Sequence, residues 1–184
     1  MDPRTLLLVI VVILLVLGVG LWFYFRRRSR KLQSTFGPEY RRTVEEIGDR
    51  WKAEGILLKR MKHVEQLEIR PLAPGARDRF RREWQSCQAR FVDDPVGAVR
   101  EADHVLGEVM GSRGYPMGDF EQRAADISVD HSRVVENYRV AHEIALREQR
   151  GQANTEDLRQ AFVYYKTLFE ELLGIGEPVL REAK

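Results

Sequence analysis

The feature that most constrains this chain is a run of twenty uncharged, mostly apolar residues at positions 6–25. At 1.5 Å per residue, a helix of that length is about 30 Å long, which matches the hydrocarbon core of a lipid bilayer. Trp22 and Tyr24 lie at the carboxyl end of the run, where amphipathic rings favour the membrane interface. The sequence therefore predicts an N-terminal transmembrane helix.

A dense basic run follows the apolar segment, whereas few charges precede it. Basic flanks are retained on the cytoplasmic side, so we predict a single pass through the cell (inner) membrane, with the N-terminus outside and the C-terminal domain in the cytoplasm. A cleaved signal peptide is disfavoured because the apolar core is too long and no small-residue cleavage site follows it. The predicted membrane-interface residues are Trp22, Tyr24, Arg26, Arg27, Arg28, Arg30 and Lys31.

Charge is unevenly distributed over the rest of the chain. Residues 26–62 carry twelve Lys or Arg and five Asp or Glu, a net charge of +7, and residues 63–184 carry −5. Because the basic part adjoins the predicted span, we expect the bilayer and its anionic headgroups to be its partner. A nucleic acid is not expected, since its binders more often carry the basic face on the folded domain.

Beyond the span, apolar residues recur at helical spacing and no window shows the alternation typical of strands. The fold class is therefore predicted to be all-α. Residues 39–68 have a roughly heptad-like apolar pattern, which makes this stalk helix a candidate for self-association. The predicted regions are a transmembrane anchor with its basic flank (1–31), a linker and amphipathic stalk helix (32–72), a helical bundle domain (73–175) and a flexible tail (176–184).

The bundle is predicted to contain about four helices, and three of them have a recognisable start signal. Asp94 before Pro95 is a typical N-cap followed by a first-turn proline, and Asp130 and Thr155 are predicted as the N-caps of the two later helices. The predicted helical segments are 76–91, 95–110, a short piece at 120–126, 131–150 and a last helix from residue 155.

Patterns that resemble metal or catalytic sites are incomplete. His142-Glu143 begins a zincin motif, but Leu146 stands where the second histidine is needed. The Glu-x-x-His pattern of di-iron bundles occurs once, ending at His104, where such proteins need it twice. The single cysteine, Cys87, lies in an apolar helical series and is predicted to be a buried core residue. We predict no catalytic residue, no metal and no cofactor.

The most distinctive segment is the glycine-flanked loop GYPMGDF at residues 114–120. Ordered loops of this kind often carry recognition residues, and Tyr115, Pro116 and Phe120 are the candidates for a protein interaction. The simpler interpretation, which we favour, is that Tyr115 and Phe120 plug one end of the bundle.

Three strings, FVDDP (91–95), GYPMGDFEQRAADISVDHSRVVENYR (114–139) and TEDLRQA (155–161), resemble those of a family of bacterial single-pass membrane proteins with a C-terminal all-helical domain and no assigned function. The similarity covers most of residues 36–173. It implies a bacterial source and an anchored helical domain, and it carries over no active site.

These observations favour a membrane-anchored helical interaction domain, acting as a scaffold or adaptor for an unknown protein partner, over an enzyme. A first alternative is a small-molecule or lipid-binding bundle, in which aromatic side chains of the last helix line a cavity. A second alternative is a hydrolase-like enzyme that uses His142 or His104 with neighbouring carboxylates. The aromatic residues of the last helix are Phe162, Tyr164, Tyr165 and Phe169.

Overall fold

The computed structural model describes residues 3–174, with their side chains from residue 12 onward. Within these residues the chain forms eight helices and no strand, which confirms the all-α class. It has two compact units, residues up to Leu57 and residues from Leu58 onward. The predicted tail, 176–184, lies outside the described residues. The helices are α1 (Pro3–Phe36), α2 (Pro38–Ile47), α3 (Arg50–Glu65), α4 (Pro74–Arg90), α5 (Pro95–Arg113), α6 (Phe120–Asp130), α7 (Val135–Gln149) and α8 (Thr155–Leu173).

Helix α1 contains both the predicted span and the basic run in one unbroken helix of 34 residues. The predicted linker is wrong at its start, because α1 stays helical as far as Phe36 and turns only at Gly37, which has a φ of 47°. Among the residues whose side chains are described, no helix is both long and apolar enough to cross a membrane. The first part of the predicted span, residues 6–11, lies outside that set.

The stalk, predicted as one helix over 39–68, is instead two helices, α2 and α3. Gly48 adopts the left-handed conformation, with a φ of 68°, and its N–H donates to the Val44 carbonyl at 2.9 Å. Asp49 then starts α3, because its Oδ1 accepts from the backbone N–H of Trp51 at 2.9 Å. A left-handed glycine ends a helix and an aspartate cap begins the next, so the heptad-like pattern does not continue across this point.

The second unit is held together by an apolar core to which α4, α5, α6, α7 and α8 contribute. There are five helices where about four were predicted, because the short piece after the loop is a full helix of 11 residues, α6. The predicted inner face of α4 is confirmed, with Phe80, Trp84 and Cys87 buried. The Trp84 ring stacks on Phe169 at 4.4 Å and lies 5.1 Å from Phe162, measured between ring centroids.

Three N-caps were predicted for this unit; the structure confirms one of them and places the other two elsewhere. The Asp94 cap is confirmed, since its carboxylate accepts from the Gly97 N–H at 2.8 Å. Asp130 is not the N-cap of the next helix, because it is the last residue of α6 and the N-cap position of α7 is Val134. The last helix is capped by Asn154 rather than Thr155, and Asn154 forms a reciprocal capping box with Asp157.

Gly114 ties the end of α5 to the segment after α3. Its φ is 97°, and a Cβ atom at this position would collide with the backbone carbonyl of Glu68. The neighbouring Arg70 N–H donates to the Arg113 carbonyl at 2.8 Å, which fixes the two segments side by side. Glycine is therefore required here both for its backbone conformation and for the close approach.

Candidate functional sites

Helix α1 exposes a long apolar surface in the first unit. Between residues 12 and 24 its large apolar side chains are exposed by 47% (Val19) to 64% (Leu15 and Val16). The exposed positions include six consecutive residues, 12–17, so the exposure runs around the whole helix rather than along one stripe. A contiguous exposed apolar surface of this kind is larger than the single apolar side chains that soluble proteins usually expose, which makes it a candidate interaction site.

Aromatic and basic side chains meet where this apolar surface ends. The guanidinium of Arg26 lies over the Trp22 ring, 4.9 Å from its centroid. The Phe25 ring is in edge-to-face contact with Trp51 of α3, at 4.9 Å between centroids. Trp51 is 65% exposed, so a second element adds an exposed ring beside those of α1.

A buried carboxylate, Glu54, joins the three helices of the first unit. Its Oε1 accepts hydrogen bonds from the Ser29 hydroxyl on α1, from the Tyr40 hydroxyl on α2 at 2.8 Å, and from Arg50 Nε on α3 at 3.1 Å. Arg50 also donates through Nη2 to the Ser29 hydroxyl. Glu54 is 7% exposed and Ser29 is 6% exposed. A buried charge is tolerated only when it is paired and hydrogen-bonded, and this one has both kinds of partner.

These contacts set the protonation of the pair. Burial opposes ionisation of Glu54, but the hydrogen bonds from Ser29, Tyr40 and Arg50 outweigh it and lower the pKa of the carboxyl below its ordinary value. The hydrogen bond to Glu54 raises the pKa of the Arg50 guanidinium in turn. At neutral pH the network therefore holds one negative and one positive charge.

A cleft of about 440 Å³ adjoins this network, and it is built entirely from the first unit. The residues that line it include Arg26 and Arg30 on α1 and Arg50 on α3. The rings of Trp22 and Trp51 lie in the same lining. The cleft is thus cationic and aromatic, with Glu54 as the acidic group in its wall.

Part of this site was missed from the sequence. Arg50, Trp51 and Glu54 fall within the predicted stalk, where Trp51 matched the apolar stripe and Glu54 occupied an apolar position. A carboxylate in an apolar stripe, four residues after an arginine, is the signal that points to a buried polar contact. The partners of Glu54 on the other helices, Ser29 on α1 and Tyr40 on α2, have no comparable pattern in the sequence around them.

A second cleft, of about 480 Å³, lies in the second unit between the end of α3 and α6. Asp126 is 1% exposed; its Oδ1 accepts from Gln122 Nε2 at 2.8 Å and lies 3.6 Å from His63 Nε2. The other oxygen, Oδ2, is buried and has no hydrogen-bond partner among the described residues. Burial raises the pKa of this carboxyl. Lys59 and Glu121 also line the cleft, so its wall carries both signs of charge.

The predicted interaction loop is largely packed into the second unit. Tyr115 is 3% exposed, and its hydroxyl donates to Asp130 Oδ2 at 3.2 Å. The Phe120 ring stacks on His142 at 3.6 Å between ring centroids. Pro116 is half-buried, whereas Met117 is 61% exposed. The contacts of Tyr115 and Phe120 are those of residues that pack the bundle, and Met117 is an exposed apolar side chain of the loop.

The remaining candidates have ordinary structural surroundings. Cys87 is fully buried, and burial raises the pKa of its thiol to about 11. His104 is exposed and lies 3.3 Å from Glu108 one turn later. Burial lowers the pKa of His142. In the part of the chain that the structure describes, no three His, Cys, Asp or Glu residues are grouped as metal ligands.

The aromatic residues of α8 belong mainly to the core. Phe162, Tyr165 and Phe169 are buried, at 7%, 0% and 2% exposure, and Tyr164 is partly buried against the same core. The contacts of Phe162 and Phe169 with Trp84 are ring-to-ring packing. These three side chains therefore stabilise the bundle.

Comparison of the chain with protein-family models, with curated proteins and with solved structures finds no match. The resemblance to bacterial single-pass membrane proteins therefore stays a prediction.

Proposed function

We propose that this protein is a membrane-anchored adaptor: α1 spans the cell membrane, and the helical domain after it binds a protein partner in the cytoplasm. The observation that carries the proposal is the exposed apolar surface of α1, which runs directly into a basic segment within one unbroken helix. Each Leu, Ile, Val or Phe in the centre of a spanning helix favours insertion by about 0.3–0.6 kcal/mol. The uncharged run supplies such residues at most of its positions.

The orientation is tested by a reporter at the carboxyl terminus. A fluorescent protein that matures only in the cytoplasm should be active, and an alkaline phosphatase that folds only outside should be inactive. The opposite pattern would contradict the proposed topology. A variant with the five basic residues of positions 26–31 changed to Gln should give a mixed pattern, because those charges orient the span.

The adaptor role is supported by the way the loop after α5 presents Met117. The Met117 side chain packs beside Gly107 and Gly111, because a Cβ on either glycine would approach it within 3.4 Å or 3.1 Å. The loop is therefore held against α5 while Met117 stays 61% exposed. A flexible, polarisable methionine on an ordered loop is suited to protein contacts.

The test is recovery of crosslinked partners from membranes that carry the full chain. The wild type should enrich a defined set of proteins, and Met117→Ser should lose most of that set. Val92→Ser is the matched control, because Val92 is 82% exposed and lies outside the loop. Recovery of bulk membrane proteins alone, unchanged in all three samples, would count against an adaptor.

A second candidate function is small-molecule binding by the mixed-charge cleft of the second unit. It is favoured by the buried, unpartnered Oδ2 atom of Asp126. A polar ligand that donates a hydrogen bond to this atom should raise the thermal midpoint of the wild type and not of Asp126→Asn. A metabolite screen in which no compound shifts the wild type would remove this candidate.

A further inference from the structure

The cleft of the first unit draws its cations from two different helices. Arg26 and Arg30 are four residues apart on α1, so they lie on one side of that helix. Both line the cleft, whereas Arg27 and Lys31 lie outside its lining. Of the five cations in the basic run, Arg26 and Arg30 belong to the cleft lining and the other three do not, so Arg27 and Lys31 provide a pair of equal charge outside the cleft.

Arg50 supplies the third cation, and its position is set by the buried network. Glu54 accepts from its Nε atom, and Ser29 accepts from its Nη2 atom. Its side chain is nevertheless 58% exposed. A guanidinium that is oriented by buried partners and still open to solvent is arranged to bind an anion, because its planar donors match phosphate or carboxylate oxygens.

Charge and shape together indicate the class of ligand. Three arginines and one glutamate give the lining a net charge of +2. Trp22 and Trp51 stand beside these cations, and such rings favour the depth of lipid headgroups. The volume, about 440 Å³, lies within the range of roughly 300–1,000 Å³ that is typical of small-ligand sites.

We propose that this cleft binds the phosphate of one anionic phospholipid, with Arg26, Arg30 and Arg50 around the phosphate and the acyl chains along the exposed apolar surface of α1. This inference rests on the proposed membrane span and deepens it. Attraction by a diffuse basic run depends only on the number of cations near the surface. A defined site depends instead on which cations are present.

Two double variants separate these cases. Arg26→Gln with Arg30→Gln removes two charges from the cleft, and Arg27→Gln with Lys31→Gln removes two charges from the same run outside it. The full chain, purified in mild detergent, is titrated with phosphatidylglycerol, and bound lipid is counted by native mass spectrometry. The first double variant should lose about tenfold in affinity, and the second should stay within about twofold of the wild type.

Two further titrations show whether the bound phosphate belongs to an anionic lipid or is free inorganic phosphate. Phosphatidylcholine should bind at least tenfold more weakly than phosphatidylglycerol, and inorganic phosphate at 10-fold molar excess should not displace the lipid. Equal losses in both double variants would overturn the site in favour of diffuse attraction. Equal binding of phosphatidylcholine, or displacement by inorganic phosphate, would also overturn it.

The carboxyl-terminal reporter, measured on both double variants, tests the proposed topology separately from the lipid site. Both double variants have the same net charge, so the carboxyl-terminal reporter should give the same pattern for each. An active phosphatase reporter in the wild type would contradict the proposed membrane span. The predicted reporter pattern, together with equal losses of lipid affinity in the two double variants, would contradict only the proposed lipid site.

Discussion

The two tryptophans Trp51 and Trp84 show how differently the two compact units are built. Trp84 is 4% exposed and stacks on Phe169 within an apolar core. Trp51 is 65% exposed and touches one ring, that of Phe25. In the second unit most aromatic rings are buried, and Phe91, Phe120 and Tyr164 are partly buried. In the first unit the buried residues include Leu32, Phe36 and Leu57 as well as the Glu54 network, whereas exposed aromatic and apolar side chains line the cleft and cover α1 between residues 12 and 24.

The difference teaches that aromatic residues at helical spacing do not by themselves predict a core. In the second unit, burial of apolar area contributes about 25 cal/mol per Å² and holds five helices together. In the first unit, hydrogen bonds to a buried carboxylate connect three helices, and the apolar surface is left for the bilayer under the function proposed above. The predictions that follow test this contrast, beginning with the largest expected effect.

Trp84→Ala should lower the free energy of unfolding of the second unit by about 3–5 kcal/mol, because it removes a large buried ring and leaves a cavity. Trp51→Ala, at an exposed position, should change stability by less than about 0.5 kcal/mol. Urea unfolding of the full chain in detergent, followed by far-UV circular dichroism, measures both variants. Similar losses in the two would show that the contrast between the units is wrong.

Glu54→Ala should destabilise the first unit by about 2 kcal/mol, because two hydroxyls and a guanidinium lose a charged acceptor. The half-exposed Arg50 keeps water as an alternative partner, which holds the loss below that of a fully buried ion pair. Hydrogen exchange measured by mass spectrometry should be faster in the first turns of α3 and unchanged in α8. Glu46→Ala, at an exposed position on α2, is the control. Unchanged exchange in α3 would refute the network's role.

Asn154→Ala should cost the second unit about 1 kcal/mol, since the side chain caps α8 and takes part in a capping box. Thr155→Ala should have almost no effect, because Thr155 is the first residue of the helix rather than its cap. Thermal unfolding midpoints compare the two. A larger drop in the thermal midpoint for Thr155→Ala than for Asn154→Ala would indicate that Thr155 is the N-cap, as the sequence alone predicts.

Acidification should weaken the first unit through Glu54. The pKa of this carboxyl is lower in the folded than in the unfolded chain, so its contribution is complete above the ordinary glutamate pKa of about 4.3. It is lost as the pH falls through the lowered folded value. The difference in thermal midpoint between the wild type and Glu54→Gln should therefore narrow below about pH 4. A difference that stays constant from pH 7 to pH 3 would contradict the shifted pKa.

The sequence predicts the elements whose signals are local. The helix class, the inner face of α4 and the Asp94 cap all follow from residues within one or two turns of each other. The start of α8 was misplaced by one residue because Asn and Thr both cap helices. The reciprocal bonds of Asn154 with Asp157 decide between them.

The sequence does not predict features that depend on contacts between distant segments. Glu54 is satisfied by Ser29, 25 residues earlier, and by Tyr40, 14 residues earlier, and no local pattern indicates that they meet. Periodicity also places Trp51 in an apolar stripe without telling whether that stripe faces protein, water or lipid. The cleft between α1 and α3 depends on both of these features, so it appears only in the structure.

The most direct test of the central claim is the accessibility of single cysteines on α1. In a Cys87→Ala background, Val16→Cys and Ser34→Cys are treated with a membrane-impermeant maleimide in spheroplasts and in inside-out vesicles. The side chains of Val16 and Ser34 are both exposed, so neither is shielded from the maleimide by the rest of the protein. If α1 spans the bilayer, Val16→Cys reacts in neither preparation until detergent and a denaturant are added, and Ser34→Cys reacts in inside-out vesicles only. Labelling of Val16→Cys in intact membranes at the rate of Ser34→Cys would contradict the span.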